Sequence, residues 1–189
     1  PHPPCPANIT TYAVRPDDER EVVLFHLPPN ATIPLHDHPK MRVHSRLPKG
    51  ELRVRSFSWS GQPPDAERLG RQVADAERAR ARGEMPVCAP AYRVVECPRV
   101  TLVPHDAPLL LTPQIGNLHE FCAVSEVLIL DVLEPPYDSS VGRDCHYYEL
   151  LPLDSRDECG GSTGDDETRL VRPIGAPSDL TICGGTWAG

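Results

Sequence analysis

The sequence predicts an all-β chain whose strands pair antiparallel into a sandwich or barrel. Short β-branched and apolar runs recur along its whole length, and 23 Pro and 13 Gly among 189 residues punctuate them with turns. No regular alternation of strand and long helix appears, so nothing calls for the crossovers that a parallel sheet requires.

Taken in order, residues 1–20 are a Pro-rich, polar lead-in with one short strand expected from Thr10 to Val14. Glu21-Val22-Val23-Leu24-Phe25-His26-Leu27 is a β-branched and aromatic strand closed by the turn residues Pro28-Pro29-Asn30. Pro34 and Pro39 exclude a helix between them and leave a short strand or strand edge. Arg42 to Leu47 and Glu51 to Phe57 alternate apolar with polar residues around the turn signal Pro48-Lys49-Gly50, which predicts a hairpin with one buried face. Residues 61–86 break the pattern. Asp65 is a candidate cap for a helix from Ala66 to Arg82 with Gly83 as its stop, and Leu69 and Val73 are its only large apolar residues. So thin a stripe predicts an exposed or partly disordered insertion rather than a lid or a partner-binding arm. Strand signals return at Tyr92 to Val95, Val100 to Val103, Leu109 to Leu111, Leu118 to Val124, Val127 to Leu133 and His146 to Leu151, with a tight turn at Ser125-Glu126. Asp154 to Asp166 is Gly-, Ser- and Asp-rich and reads as loop, after which Arg169 to Val171 and Leu180 to Ile182 are expected as edge strands.

The length suits a single domain with one core, residues 1–189, organised around roughly 20–152 with an insertion near 61–86 and an extension over about 153–189. A net charge of -8 without any Lys/Arg run argues against nucleic acid or an anionic membrane as partner. The seven cysteines are odd in number and form no Cys-x-x-Cys pair, so neither a complete disulfide framework nor a zinc knuckle is indicated. No apolar run approaches the roughly 20 residues that span a bilayer, and Pro1-His2-Pro3-Pro4 does not read as a signal peptide. Reduced thiols in an intracellular, cytoplasmic setting are the expectation.

The stretch Ile33-Pro34-Leu35-His36-Asp37-His38-Pro39 offers the clearest chemistry. In an extended chain residues at i and i+2 share a face, so His36 and His38 can converge on one ion. A third imidazole, His119, follows the turn Pro113-Gln114-Ile115-Gly116-Asn117-Leu118 at the head of a strand, with Phe121 and Ala123 on its face.

These two segments resemble the two metal-binding motifs of the cupin barrel, a double-stranded β-helix. Where most cupins carry a glutamate shortly after the first pair, this sequence reads Met41-Arg42-Val43-His44. A three-histidine site without a carboxylate is the pattern of the thiol dioxygenases. Further segments, Leu130-Asp131-Val132-Leu133-Glu134-Pro135-Pro136-Tyr137 and Gly142-Arg143-Asp144-Cys145-His146-Tyr147-Tyr148, resemble cysteamine (2-aminoethanethiol) dioxygenase and the plant cysteine oxidases. The resemblance implies a cupin-type barrel holding Fe(II) on His36, His38 and His119. It further implies an enzyme that adds both atoms of O₂ to an aminothiol, either cysteamine or the N-terminal cysteine of a protein, to give a sulfinic acid, with a role in oxygen sensing.

The same resemblance places an aspartate, here Asp131, near the iron. Asp131 alternates with apolar Ile129 and Leu133, so it is expected either to point inward, orienting a ligand histidine or meeting the substrate ammonium, or to cap the turn before Pro135. Tyr137 is placed to present its hydroxyl to bound oxygen or to cover the barrel mouth. Cys145 and Tyr147, again i and i+2, match the pair that forms a thioether cross-link in the animal cysteamine dioxygenase; a packed thiol beside an aromatic is the alternative. His2, His26, His44, His105 and His146 are read as surface or packed imidazoles, His44 being the nearest decoy ligand. With the whole ligand set in one chain, a monomer suffices. The competing classes are a non-catalytic metal- and ligand-binding cupin and a zinc or nickel cupin acting as hydrolase or isomerase.

Overall fold

A computed structural model describes residues 8–17, 19–85, 89–152 and 168–184. Its strands are β1 (Asn8–Pro16), β2 (Glu21–Leu27), β3 (Thr32–His36), β4 (Arg42–Lys49), β5 (Leu52–Trp59), β6 (Tyr92–Glu96), β7 (Val100–Leu102), β8 (Leu109–Leu111), β9 (Leu118–Ala123), β10 (Val127–Glu134), β11 (Tyr147–Leu150), β12 (Thr168–Ile174) and β13 (Thr181–Gly184), with one helix, α1 (Ala66–Ala81), between β5 and β6. Six strands form one sheet in the order β13-β1-β2-β10-β4-β8, and seven form the other in the order β6-β12-β11-β3-β9-β5-β7, with β6 also pairing β5.

Eight of these strands wind from sheet to sheet. Passing along β2, β3, β4 and β5, and again along β8, β9, β10 and β11, every connection leaves one sheet and enters the other. This is the double-stranded β-helix that the resemblance implied. It corrects one sequence-based expectation: β4 and β5 are not partners in a hairpin. The chain turns the corner at Gly50, whose φ of +93° suits glycine, and a Cβ there would lie 2.2 Å from the carbonyl oxygen of Glu126. A turn signal announces a reversal without saying whether the next strand pairs with the last or crosses to the opposite sheet.

Two further expectations change. Arg169 to Val171 was expected at an edge, yet β12 lies between β6 and β11 and buries Leu170 and Val171. The apolar stretch is simply too short to announce a central strand. Leu180 to Ile182 does form an edge strand, β13, which runs parallel to β1 and is an exception to the antiparallel pattern. The loop expected over Asp154 to Asp166 lies outside the described residues.

Helix α1 forms where expected. Asp65 Oδ1 accepts the Arg68 amide at 2.7 Å, and Gly83 follows the C-cap Arg82 with φ +71°. It is not a detached arm, however. Leu69 is 1% exposed and packs with Leu35, Phe57, Trp59, Val94, Leu118, Tyr148 and Val171. Leu69, with buried Ala66, is enough to dock a polar helix on the seven-stranded sheet beside β12. No described helix is long and apolar enough to cross a membrane.

Candidate metal centre

His36 is the last residue of β3, and His119 is the second residue of β9, its direct cross-strand partner. His38 lies beyond the strand, so pleat alternation does not aim it, contrary to expectation. Pro39 lacks an amide hydrogen and Lys40 adopts φ +61°, and together they turn the chain immediately after His38. Side-chain hydrogen bonds then hold the turn. Asn117 Nδ2 donates to the His38 carbonyl at 2.8 Å and to the Thr112 carbonyl at 3.2 Å, tying the first histidine motif to the second.

The three rings converge. Their centroids are 4.3 Å apart for His36 and His119 and 5.0 Å for each pair that includes His38. One ring nitrogen from each lies within 4.8 Å of the others, and no other such group of three is found among the described residues.

Each imidazole is prepared as a neutral donor. Burial lowers the pKa of all three, that of His38 and His119 well below the usual value, and the neighbouring rings add to the effect at His38 and His119. The His36 Nδ1–H donates to the Pro34 carbonyl at 2.8 Å, which leaves its Nε2 lone pair free. His38 is set by a tyrosine. The Tyr137 hydroxyl lies 3.0 Å from the Asp37 carbonyl and 2.6 Å from His38 Nδ1. With one proton to give, the hydroxyl satisfies both contacts by donating to Asp37 and accepting from His38 Nδ1–H. His38 Nε2 is then unprotonated, and it has no hydrogen-bond partner. Unpartnered basic nitrogens in a buried site are costly unless an ion takes them, and carbonyl or hydroxyl support behind metal-binding imidazoles is the usual arrangement. The residues therefore fit a divalent transition-metal ion.

Asp37, between the two histidines, was not singled out in the sequence. It is buried, and its Oδ1 accepts the His146 amide at 2.9 Å and His146 Nδ1–H at 3.3 Å. Its Oδ2 accepts the Tyr148 hydroxyl at 2.8 Å. This carboxylate thus faces away from the ligand trio and fastens the end of β3 to the start of β11. A charged residue flanked by two inward-facing histidines was the available signal. His146 is accordingly a packed imidazole, while His44 is exposed, 3.9 Å from Glu134.

A cavity of about 270 Å³ opens beside His36 and His38. Asp131 lines it from β10, whose inward face is otherwise Val127, Ile129 and Leu133. It sits mid-strand and caps no turn. Burial raises its pKa to about 7, against a smaller lowering by Ser45, which lies directly opposite it in β4. The Ser45 hydroxyl is near enough to favour the carboxylate, but no well-formed hydrogen bond joins it to Asp131 Oδ1. Tyr137, Cys145 and Tyr147 also line the cavity, and the Cys145 thiol sits within hydrogen-bonding reach of both phenols. Burial, with the Asp37 charge, pushes that thiol up to about 12, so it stays protonated. The sequence paired Cys145 with Tyr147 alone; Tyr137 completes the group. The remaining wall is mostly apolar, including Val23, Phe25, Ile33 and Phe121.

Curated proteins similar to this chain in sequence are named as oxidases or dioxygenases of thiol compounds. Plant cysteine oxidase 2 of Arabidopsis thaliana is 30% identical over 175 residues, covering 89% of this chain and 55% of that protein. The 2-aminoethanethiol dioxygenase of Homo sapiens is 33% identical over 156 residues, covering 80% and 56% respectively. This chain thus spans about half the length of these curated relatives. Among solved structures, KdgF from a Halomonas species overlaps with a TM-score of 0.42 at 14% identity, over 69% of this chain and 81% of that one. A Klebsiella pneumoniae protein with a double-stranded β-helix domain gives 0.44 at 14%, over 76% and 86%. The family model described as PCO_ADO matches residues 2–189, and with nearly the whole sequence matched, the chain belongs to the PCO_ADO family.

Proposed function

We propose that this chain is a non-haem Fe(II) thiol dioxygenase that converts an aminothiol and O₂ to the corresponding sulfinic acid. The observation that carries the reading is a trio of neutral, pre-oriented imidazoles, with no carboxylate ligand among them, beside a cavity walled mainly by apolar groups. Imidazole ligands suit ferrous iron, which when bound supplies the positive charge that ionises a coordinating thiol and the electrons that activate O₂.

The chain's own residues do the rest. The Pro34 carbonyl and Tyr137 fix the tautomers of His36 and His38, keeping both Nε2 atoms basic. Val23, Phe25, Ile33 and Phe121 keep water from the reacting sulfur. Asp131 is the open acceptor for the substrate ammonium: an incoming cation supplies the hydrogen bond its Oδ1 lacks and favours its ionised form. No Lys or Arg is among the described residues lining the cavity, so a free α-carboxylate would find no counter-charge among them. Cysteamine, or the N-terminal cysteine of a protein, is therefore the fitting substrate class, and the second would make the chain a reporter of oxygen. The nearness of the Cys145 thiol to the Tyr147 phenol, beside Tyr137, supports a thioether cross-link between Cys145 and Tyr147. The ligand set lies within one chain, and a monomer is sufficient.

The test is oxygen uptake after anaerobic Fe(II) loading, with cysteamine and with a Cys-initiated peptide. The expected product of either is heavier by two oxygen atoms, about 32 Da. Stoichiometric metal binding with no uptake from either thiol would favour a non-catalytic binding protein, and retention of zinc or nickel in place of iron would favour a different chemistry.

A further inference from the structure

The cavity has a second carboxylate that the reaction leaves unused. Glu21 is the first residue of β2, and with Val23 and Phe25 it forms the i, i+2, i+4 face that lines the cavity. The ladder fixes its height. Asp131 of β10 stands opposite Val23, and Leu133 stands opposite Glu21. At roughly 3.3 Å per residue, Glu21 thus lies about 7 Å further along the strand than the Asp131 level. Exposure tells which way is out: at the other end of β2 Leu27 is fully buried in the core, whereas Glu21 is half-buried. The Glu21 side chain forms no hydrogen bond or ion pair with a described residue. Its neighbour Arg20, on the opposite strand face, lies 4.0 Å from Glu134 instead. Among the described residues, the outer cavity therefore presents one uncompensated negative charge, with no Lys or Arg lining it.

We propose that Glu21 is a specificity-determining residue that selects thiol substrates carrying a second cationic group beyond the amine, such as Cys-initiated peptides with Lys or Arg at the second position. This rests on the aminothiol reading above. Cysteamine is far smaller than the 270 Å³ available, so the cavity has room for more of a substrate than its aminothiol end. With the substrate sulfur at the histidines and its ammonium at Asp131, the next residue of an extended peptide lies outward, at the height of Glu21. Consecutive Cα atoms are about 3.8 Å apart, and a Lys or Arg side chain spans what remains. The half-buried position makes the charge count for more than it would on open surface.

The experiment is an anaerobic calorimetric titration of the Fe(II)-loaded full chain with two Cys-initiated peptides, identical except for Lys or Glu at the second position. The Lys peptide is expected to bind on the order of tenfold more tightly at low salt, with the ratio shrinking as salt rises. In Glu21→Gln the ratio should approach one, and in Glu21→Lys it should invert. Because each ratio is read within one variant, a general loss of affinity cancels. Equal binding of the two peptides by the unaltered chain overturns the proposal, as does a preference that Glu21→Gln leaves intact, and neither result depends on whether the other variant folds. Oxygen uptake with cysteamine, run in parallel, tests the underlying reaction separately: a Lys preference without any uptake would uphold Glu21 and remove the dioxygenase reading.

Discussion

The two walls of the cavity are built differently. On the histidine wall, from β3 and β9, the polar groups behind the ligands are engaged: Pro34 holds His36, Tyr137 holds His38, Asn117 holds the His38 carbonyl, and Asp37 is bonded to His146 and Tyr148. Among the ligand imidazoles, His38 Nε2 is left open toward the ion site. On the facing wall, from β2 and β10, Asp131 Oδ1 has no partner, and the Glu21 side chain has none among the described residues. Buried polar groups are ordinarily satisfied, so the contrast separates what the fold completes by itself from what a ligand must complete. One wall is finished for an ion and the other waits for a cation on the substrate.

The largest effect expected is on the finished wall. His119→Ala removes one of three donors, and both bound iron, measured by elemental analysis, and thiol-dependent oxygen uptake should fall a hundredfold or more. Near-normal iron content would show that the trio is not the ion site. The support beneath that wall is tested next. Leu69→Ala should cost about 2–5 kcal/mol in denaturant unfolding if α1 is docked as described, against a few tenths if it were an exposed arm. Tyr137→Phe keeps the ring and deletes the acceptor of His38 Nδ1–H, so iron affinity, read by chelator competition, should drop by roughly ten- to a hundredfold. Per unit of pH, the smallest effect belongs to the open wall. In metal-free protein the folded Asp131 carboxyl titrates near pH 7 against an ordinary value of 3.8, so between those values the native state binds a proton that the unfolded state does not. Stability should therefore fall as pH rises from about 4 to 7, by at most about 1.4 kcal/mol per unit from this group, and Asp131→Asn should remove that slope. An unchanged slope would mean that Asp131 is already satisfied.

Much of this was legible in the sequence, for reasons that also explain what was not. Period-two alternation and Pro or Gly punctuation located the strands, and β2 and β8 match the expected bounds. The ligand trio was legible because histidine spacing combined with turn residues is a local pattern. Sheet membership was not, because Pro48-Lys49-Gly50 fits a hairpin or a crossing equally well, and only packing against Glu126 decides. Leu69 was underrated because a hydrophobic stripe is judged by its width, whereas a single leucine that joins a core cluster can dock a helix. Asp37 and Asn117 were missed as supports since their partners, His146, Tyr148 and the His38 carbonyl, are distant in sequence. Glu21 was legible in principle: it continues the inward face of Val23 and Phe25, and a carboxylate in that series is the anomaly.

The short bridge from Asn117 to the carbonyl of His38 has a consequence for how the centre is loaded. Because the amide joins both halves of the donor set without touching the donors' nitrogens, an empty centre keeps its halves at working distance. Uptake of the ion then calls for little rearrangement, and its loss leaves behind a cradle that is ready for refilling.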